Sequence, residues 1–188
     1  MGSDVEDRRK ANRGPAAGPG NRQALLRAAR EVFAESGVAA PFSAVARRAG
    51  VGQGSLYRHF PDRTALAAAL FEENVERIEE HTAGDDRTLD DLFDIVISQA
   101  VVSTALIDLT SGHRDDPHVQ ALGQRFRSVV DRVLSRERAA GHVGAHVDTD
   151  DVALAAGMLA GELARTADAD RAAAADRARR MLHRAFAP

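Results

Sequence analysis

From residue 21 onward the apolar positions recur every three to four residues, the spacing of one face of an α-helix. Leu25, Ala28, Ala29, Val32 and Phe33 set this pattern, and Gly37 follows in a position suited to a left-handed C-cap. Pro41 and Ser43 open a short second segment to Ala49, with Ser43 as its expected N-cap. After Gly50-Val51-Gly52 a third helix, about Gln53 to His59, runs until Phe60-Pro61. Asp62 is placed to cap a long helix reaching about His81, with Leu66, Leu70 and Val75 turned inward.

The remaining pattern predicts four more helices. The one over about 88–109 is apolar nearly all round between Leu92 and Ile107, so it is expected to pack on several sides. Residues 117–140 carry Leu122, Phe126, Val130, Val133 and Leu134 inward. Asp148 or Thr149 caps a helix to about 166, and a last one spans about 170–186. No β-alternation holds over a useful length, and there is no internal repeat. An all-α fold of about eight helices follows.

Residues 1–20 are polar and rich in Gly and Pro, which predicts a disordered tail. Its cluster Arg8, Arg9, Lys10 and Arg13 is either solvated or able to brush a phosphate backbone. The net charge of the 188 residues is −3, but the average hides a split. Residues 1–63 hold eleven basic and six acidic groups, a balance of +5. Residues 64–188 hold fourteen basic and twenty-two acidic groups, a balance of −8. Such asymmetry hints at a polyanion-facing part joined to one with another task. The absence of Cys removes disulfide scaffolds, Cys-containing zinc fingers and thiol catalysis. Neither a secretory leader nor a run of ~18–20 apolar residues is evident, so a soluble cytoplasmic protein without membrane contact is expected.

Two short helices joined by a Gly-containing turn form a helix-turn-helix pattern. Ala46 is small where the helices approach, Gly50 suits a positive φ, and Val45, Val51 and Leu56 plug the angle between them. The second helix presents Gln53, Ser55, Tyr57, Arg58 and His59, donors of the kind a major groove accepts. Residues 22–66, and above all VARRAGVGQGSLYRHFPDRTAL over 45–66, resemble the DNA-binding domain of the TetR family of one-component transcriptional regulators.

That resemblance implies roles residue by residue. Gln53, Gly54 and Ser55 lie where the family touches base edges; Tyr57 and His59 match phosphate-contacting positions, and Tyr57 also suits a thymine methyl. Arg58 reaches a guanine edge or the backbone. Arg63 matches the family's phosphate-clamping Lys, acting with the N–H groups of its helix end. Ser43 both caps its helix and holds a phosphate. Two departures concern the operator: Gly52 stands where many members have Ser, and Ser55 replaces the commoner Thr. Arg47 and Arg48 read as a solvated helix face, and Leu56 and Phe60 as core.

Residues 64–188 correspond to the family's ligand-sensing and dimerisation domain, with 21–63 as the DNA-binding domain. The last two helices, 149–166 and 170–186, are then expected to pair with those of a second copy. Ala155, Ala156, Leu159, Ala160, Leu163, Met181, Leu182 and Phe186 are the candidate dimer residues. A ligand pocket is expected among helices 62–81, 88–109, 117–140 and 149–166. Its candidate lining is Phe71, Phe93, Ile97, Val101, Phe126, Val130 and Met158, with Gln99, Ser103 and Thr104 as polar contacts.

His113 and His118 flank Asp115 and Asp116, and His142 and His146 precede Asp148 and Asp150, but these read as solvated loop residues rather than metal ligands. No nucleophile elbow, phosphate-cradling loop or HExxH run supports catalysis, and Glu72-Glu73 and Glu79-Glu80 read as solvation. The expectation is therefore a homodimeric repressor that binds double-stranded operator DNA and is released by a small-molecule inducer. No cofactor, metal or enzymatic activity is expected. The rival reading is a helical small-molecule-binding or protein-interaction module that has lost DNA binding.

Overall fold

The computed structural model describes residues 18–37, 39–110 and 116–188; over 101–110 it describes the helical backbone alone. Within these residues the chain forms α1 (Gly18–Ser36), α2 (Phe42–Ala49), α3 (Gln53–His59), α4 (Arg63–His81), α5 (Leu89–Thr110), α6 (Pro117–Ala139), α7 (Thr149–Arg165) and α8 (Asp168–Phe186). The described residues include no strand. The tail's Arg8, Arg9, Lys10 and Arg13 and the loop residues His113 and Asp115 lie outside the described residues.

Local chemistry accounts for several helix ends. Gly37 and Gly50 take φ of 70° and 68°, the left-handed region where a side chain is strained. The Asp62 carboxylate accepts from the Ala65 N–H at 2.7 Å and starts α4. At α7, Asp148 and Asp151 form a reciprocal capping box. Thr88 and Asp91 do the same for α5: Asp91 Oδ2 accepts from the Thr88 N–H at 2.9 Å, and Thr88 Oγ1 accepts from the Asp91 N–H at 3.3 Å. Hydrogen bonding to Thr88 lowers the Asp91 pKa. One expected cap is corrected. Ser43 lies inside α2, whose N-cap is Pro41 with no side-chain bond. Proline's fixed φ starts this helix without a hydroxyl.

Two hydrophobic cores divide the molecule. The first joins Leu25, Leu26, Ala29 and Phe33 of α1 to Val45 and Ala46 of α2, Leu56 of α3, Phe60, and Leu66 and Leu70 of α4. The second gathers Ile78 of α4, Leu92, Phe93 and Val96 of α5, Val130, Val133 and Leu134 of α6, and Val152, Leu159 and Leu163 of α7. Helix α5 touches α1, α4, α6, α7 and α8, in keeping with its apolar surface.

Helix α4 belongs to both cores, and polar groups mark its crossing. Asn74 is 1% exposed. It stands on the row Leu66, Leu70, Asn74, Ile78, where every other member is aliphatic. Arg30 of α1 donates to Asn74 Oδ1 at 2.5 Å and to Glu73 Oε2 at 2.7 Å. Further along, Arg125 of α6 grips Glu79 with two hydrogen bonds of 2.9 and 2.6 Å, which lower the Glu79 pKa. Glu73 and Glu79 are therefore ion-pair partners that lock α4 to α1 and α6, a correction to their reading as solvated surface. Both arginines lie too far along the chain, 43 and 46 residues away, for local periodicity to reveal the pairing.

Candidate nucleic-acid interface

The first core determines which side of α3 remains outside. Leu56 is fully buried and Phe60 nearly so, seating the helix against α1 and α2. Gln53, Gly54, Tyr57 and Arg58 are exposed, and Ser55 and His59 are partly so. Tyr57 is 53% exposed, yet its ring rests edge-on against Phe42 of α2 with centroids 5.5 Å apart. That contact restricts the ring while leaving about half its surface free, so the aromatic is presented outward from a braced base. The Arg22 guanidinium lies over the Phe60 ring at 5.6 Å, tying the start of α1 to the end of α3.

Gly54 is informative because nothing inside the chain calls for glycine. A Cβ built there meets no atom within 4 Å, and its φ is not in the left-handed region. In a helix, glycine costs up to ~1 kcal/mol relative to alanine. Its small size therefore has no intramolecular benefit, and it leaves the backbone open to close approach from outside. Gly52, the N-cap of α3, likewise makes no side-chain cap.

The flanking cations separate by their partners. Arg48 donates to Glu35 at 2.6 and 3.0 Å and to Glu31 at 3.0 Å, bracing α2 on α1. Its hydrogen bond lowers the Glu35 pKa. Arg48 is thus an exposed inter-helix brace, and Arg47 is exposed as well. Ser43 is exposed on α2, and Arg63 is partly exposed at the first position of α4. The Asp62 carboxylate accepts one amide of that helix end.

The remaining expected site residues separate into two places. A cavity of about 180 Å³ lies between α4, α5, α6 and α7, lined by Phe71, Asn74, Val75, Ile78, Val96, Gln99, Phe126, Ala153, Ala156, Gly157 and Ala160. Phe71, Phe126 and Gln99 of the expected pocket meet there. Phe93 instead packs against Phe186, Val130 is core, and Ile97 packs on the core without reaching the cavity. The side chains of Val101, Ser103 and Thr104 lie outside the described residues. Asn74, absent from the expected lining, is legible in the sequence as a polar interruption of an aliphatic row.

Met158 is a correction: at 66% exposure it faces away from the cavity. It joins Leu154 and Met181, 64% and 56% exposed, around a groove of about 740 Å³ between α7 and α8. Ala155, Leu159, Leu182 and Phe186 also border this groove. Ala156, Ala160 and Leu163 do not; they are buried in the chain's own second core, so that face of α7 is already used. His142 faces Glu137 Oε1 at 3.3 Å, whereas His146 faces the Ala185 carbonyl at 3.0 Å. No described helix is long and apolar enough to cross a membrane.

A helix-turn-helix head with an exposed polar third helix, joined through one shared helix to a second all-helical core, defines a DNA-binding transcriptional regulator. Residues 25–70 match the family model described as bacterial regulatory proteins, tetR family. A TetR transcriptional regulator from Streptomyces coelicolor is 26% identical, with a TM-score of 0.68, over 89% of this chain and 98% of the other. A TetR transcription regulatory protein from Mycobacterium vanbaalenii is 25% identical, with a TM-score of 0.66, over 92% of this chain and 98% of the other. Residues 25–70 thus match the DNA-binding domain of that family, and the chain as a whole shares the fold of these TetR regulators.

Proposed function

We propose that this regulator is a homodimeric repressor that occupies a palindromic operator and leaves it when a small molecule enters the second core. The observation that carries this reading is the exposed face of α3, whose donors stand outside a core sealed by Leu56 and Phe60. In this reading Gln53, Gly54 and Ser55 meet base edges. Ser43, Tyr57, His59 and Arg63 hold phosphates, and Arg58 reaches either a guanine or the backbone. The DNA-binding unit takes residues 21–63 together with the first turns of α4 that complete its core.

The groove between α7 and α8 supports dimerisation, since Leu154, Met158 and Met181 form an apolar surface that water would otherwise cover. A second copy related by a two-fold axis buries this surface and offers two α3 helices to half-sites about one helical turn apart. The 180 Å³ cavity supports ligand response. Release requires the ligand to bind the two orientations of the heads with different affinity. Helix α4 offers the route, because it lines the cavity at Asn74 and is held to α1 by Arg30 at the same residue.

Selection of binding sites from random duplex DNA tests the reading. A two-fold symmetric site is expected, and Gln53→Ala is expected to change the preferred bases within each half. An unchanged selected sequence would remove Gln53 from base reading, and failure to enrich any duplex would overturn operator binding.

A further inference from the structure

The cavity between α4, α5, α6 and α7 has a chemical bias that narrows what it holds. Aromatic and aliphatic side chains form most of its wall, and its polar side chains among the described residues are the carboxamides of Asn74 and Gln99. No charged side chain lines it among those residues. An ionised ligand would lose its hydration without gaining a counter-charge, which strongly disfavours acids and amines in their charged forms.

Gln99 supplies the second, independent observation. It is 5% exposed, and its Nε2 donates to the backbone carbonyl of Asn74 at 3.4 Å. Only the –NH₂ end of a carboxamide can donate to a carbonyl, so this bond fixes the orientation of the group. The other end, Oε1, is buried without a hydrogen-bond partner. A buried acceptor in that condition is costly, and a hydrogen-bond donor brought into the cavity relieves the cost.

We propose that the cavity takes a small, neutral, mostly apolar molecule carrying one hydrogen-bond donor, and that Gln99 Oε1 is the group that reads the donor. The size agrees, because engineered apolar cavities of about 150 Å³ hold benzene. A single-ring aromatic alcohol or a short branched aliphatic alcohol falls in this class. Gln99 also touches the Asn74 carbonyl, so donor recognition occurs one residue away from the Arg30 contact with the head. This assignment rests on the cavity being the sensing site.

The test uses p-cresol and p-xylene, a pair of matched shape in which a hydroxyl donor replaces a methyl group. Both are titrated into the full chain and into Gln99→Met, whose side chain keeps the length and loses the acceptor. Both are expected to bind, and the cresol-to-xylene affinity ratio is expected to fall on the order of tenfold in the variant. In the unaltered chain, p-cresol is expected to shift the Gln99 side-chain amide resonance more than p-xylene does. A ratio unchanged by Gln99→Met, or equal resonance shifts, overturns donor recognition while leaving the cavity as a binding site. Failure of both compounds to bind the unaltered chain at millimolar concentration overturns the ligand class alone; the sensing-site reading falls only if filling the cavity through Gly157→Leu leaves ligand-induced release from DNA unchanged. The resonance experiment decides the matter even if Gln99→Met folds poorly.

Discussion

The outer face of α3 and the outer face of α7 and α8 are both exposed, but they are exposed in opposite chemical terms. The first carries Gln53, Ser55, Tyr57 and Arg58 around an unsubstituted Gly54. It is stable in water as it stands and gains from a hydrated, charged partner. The second carries Leu154, Met158 and Met181, each more than half exposed, and gains from exclusion of water. The contrast teaches that this chain leaves one polar and one apolar surface uncovered, the two that the proposed operator and the proposed second copy would cover. The shared helix α4 and the Arg30 fork lie between them.

The largest expected effect comes from the apolar face. Met158→Glu combined with Met181→Glu should leave the monomer folded, because both side chains lie outside the cores. Sedimentation should then show monomer at micromolar concentration. Operator affinity should fall by about 100-fold, the loss expected when two linked half-site contacts become one. A variant that remains dimeric would show that the two-fold contact lies elsewhere.

The junction comes next. Arg30→Met removes charged hydrogen bonds to Glu73 and Asn74 and should lower unfolding stability by about 2 kcal/mol in urea titration. More telling, a ligand that releases the unaltered chain from DNA should release this variant less effectively at equal occupancy of the cavity. Undiminished release would mean that the two surfaces communicate by another path.

On the polar face, Arg63→Ala should weaken binding to every duplex by about tenfold. The salt dependence should become shallower by about one per subunit, the signature of a lost phosphate contact. An unchanged slope in a fluorescence titration would break the assignment. Gly54→Ala gives the smallest and most specific test. Alanine fits the chain's own space, so thermal stability should hold or rise by up to ~1 kcal/mol. Operator affinity should nevertheless drop several-fold in a gel-shift assay. Unchanged affinity would mean that no DNA backbone or base approaches Gly54.

The two faces also differed in how legible they were beforehand. The α3 face could be read locally, since a Gly turn, a buried Leu56 and interleaved donors occur within a few residues. The α7 face could not. This helix is apolar on two sides, and periodicity marks Ala156, Leu163, Leu154 and Met158 alike. Only the packing of α5 against α7 shows that the first pair is buried within the chain and the second is left outside. The family resemblance likewise implied a pocket, and Phe93, Val130 and Met158 were its candidates because an inward position looks the same whether it meets a cavity or a packed side chain.

The amino-acid pattern by itself determined the all-α class, the helix-turn-helix and the candidate reading residues. It also determined several helix ends, including the caps at Gly37, Gly50 and Asp62, and narrowed the α7 cap to Asp148 or Thr149. These properties depend on backbone preferences and on neighbours within a few residues. Tertiary structure decided that Asn74 joins two cores, that Gln99 Oε1 is unpaired, and that Arg48, Glu73 and Glu79 are held in ion pairs. It also decided which apolar surface was left over. Each of these depends on groups brought together from distant segments, and a one-dimensional period contains no information about what stands opposite.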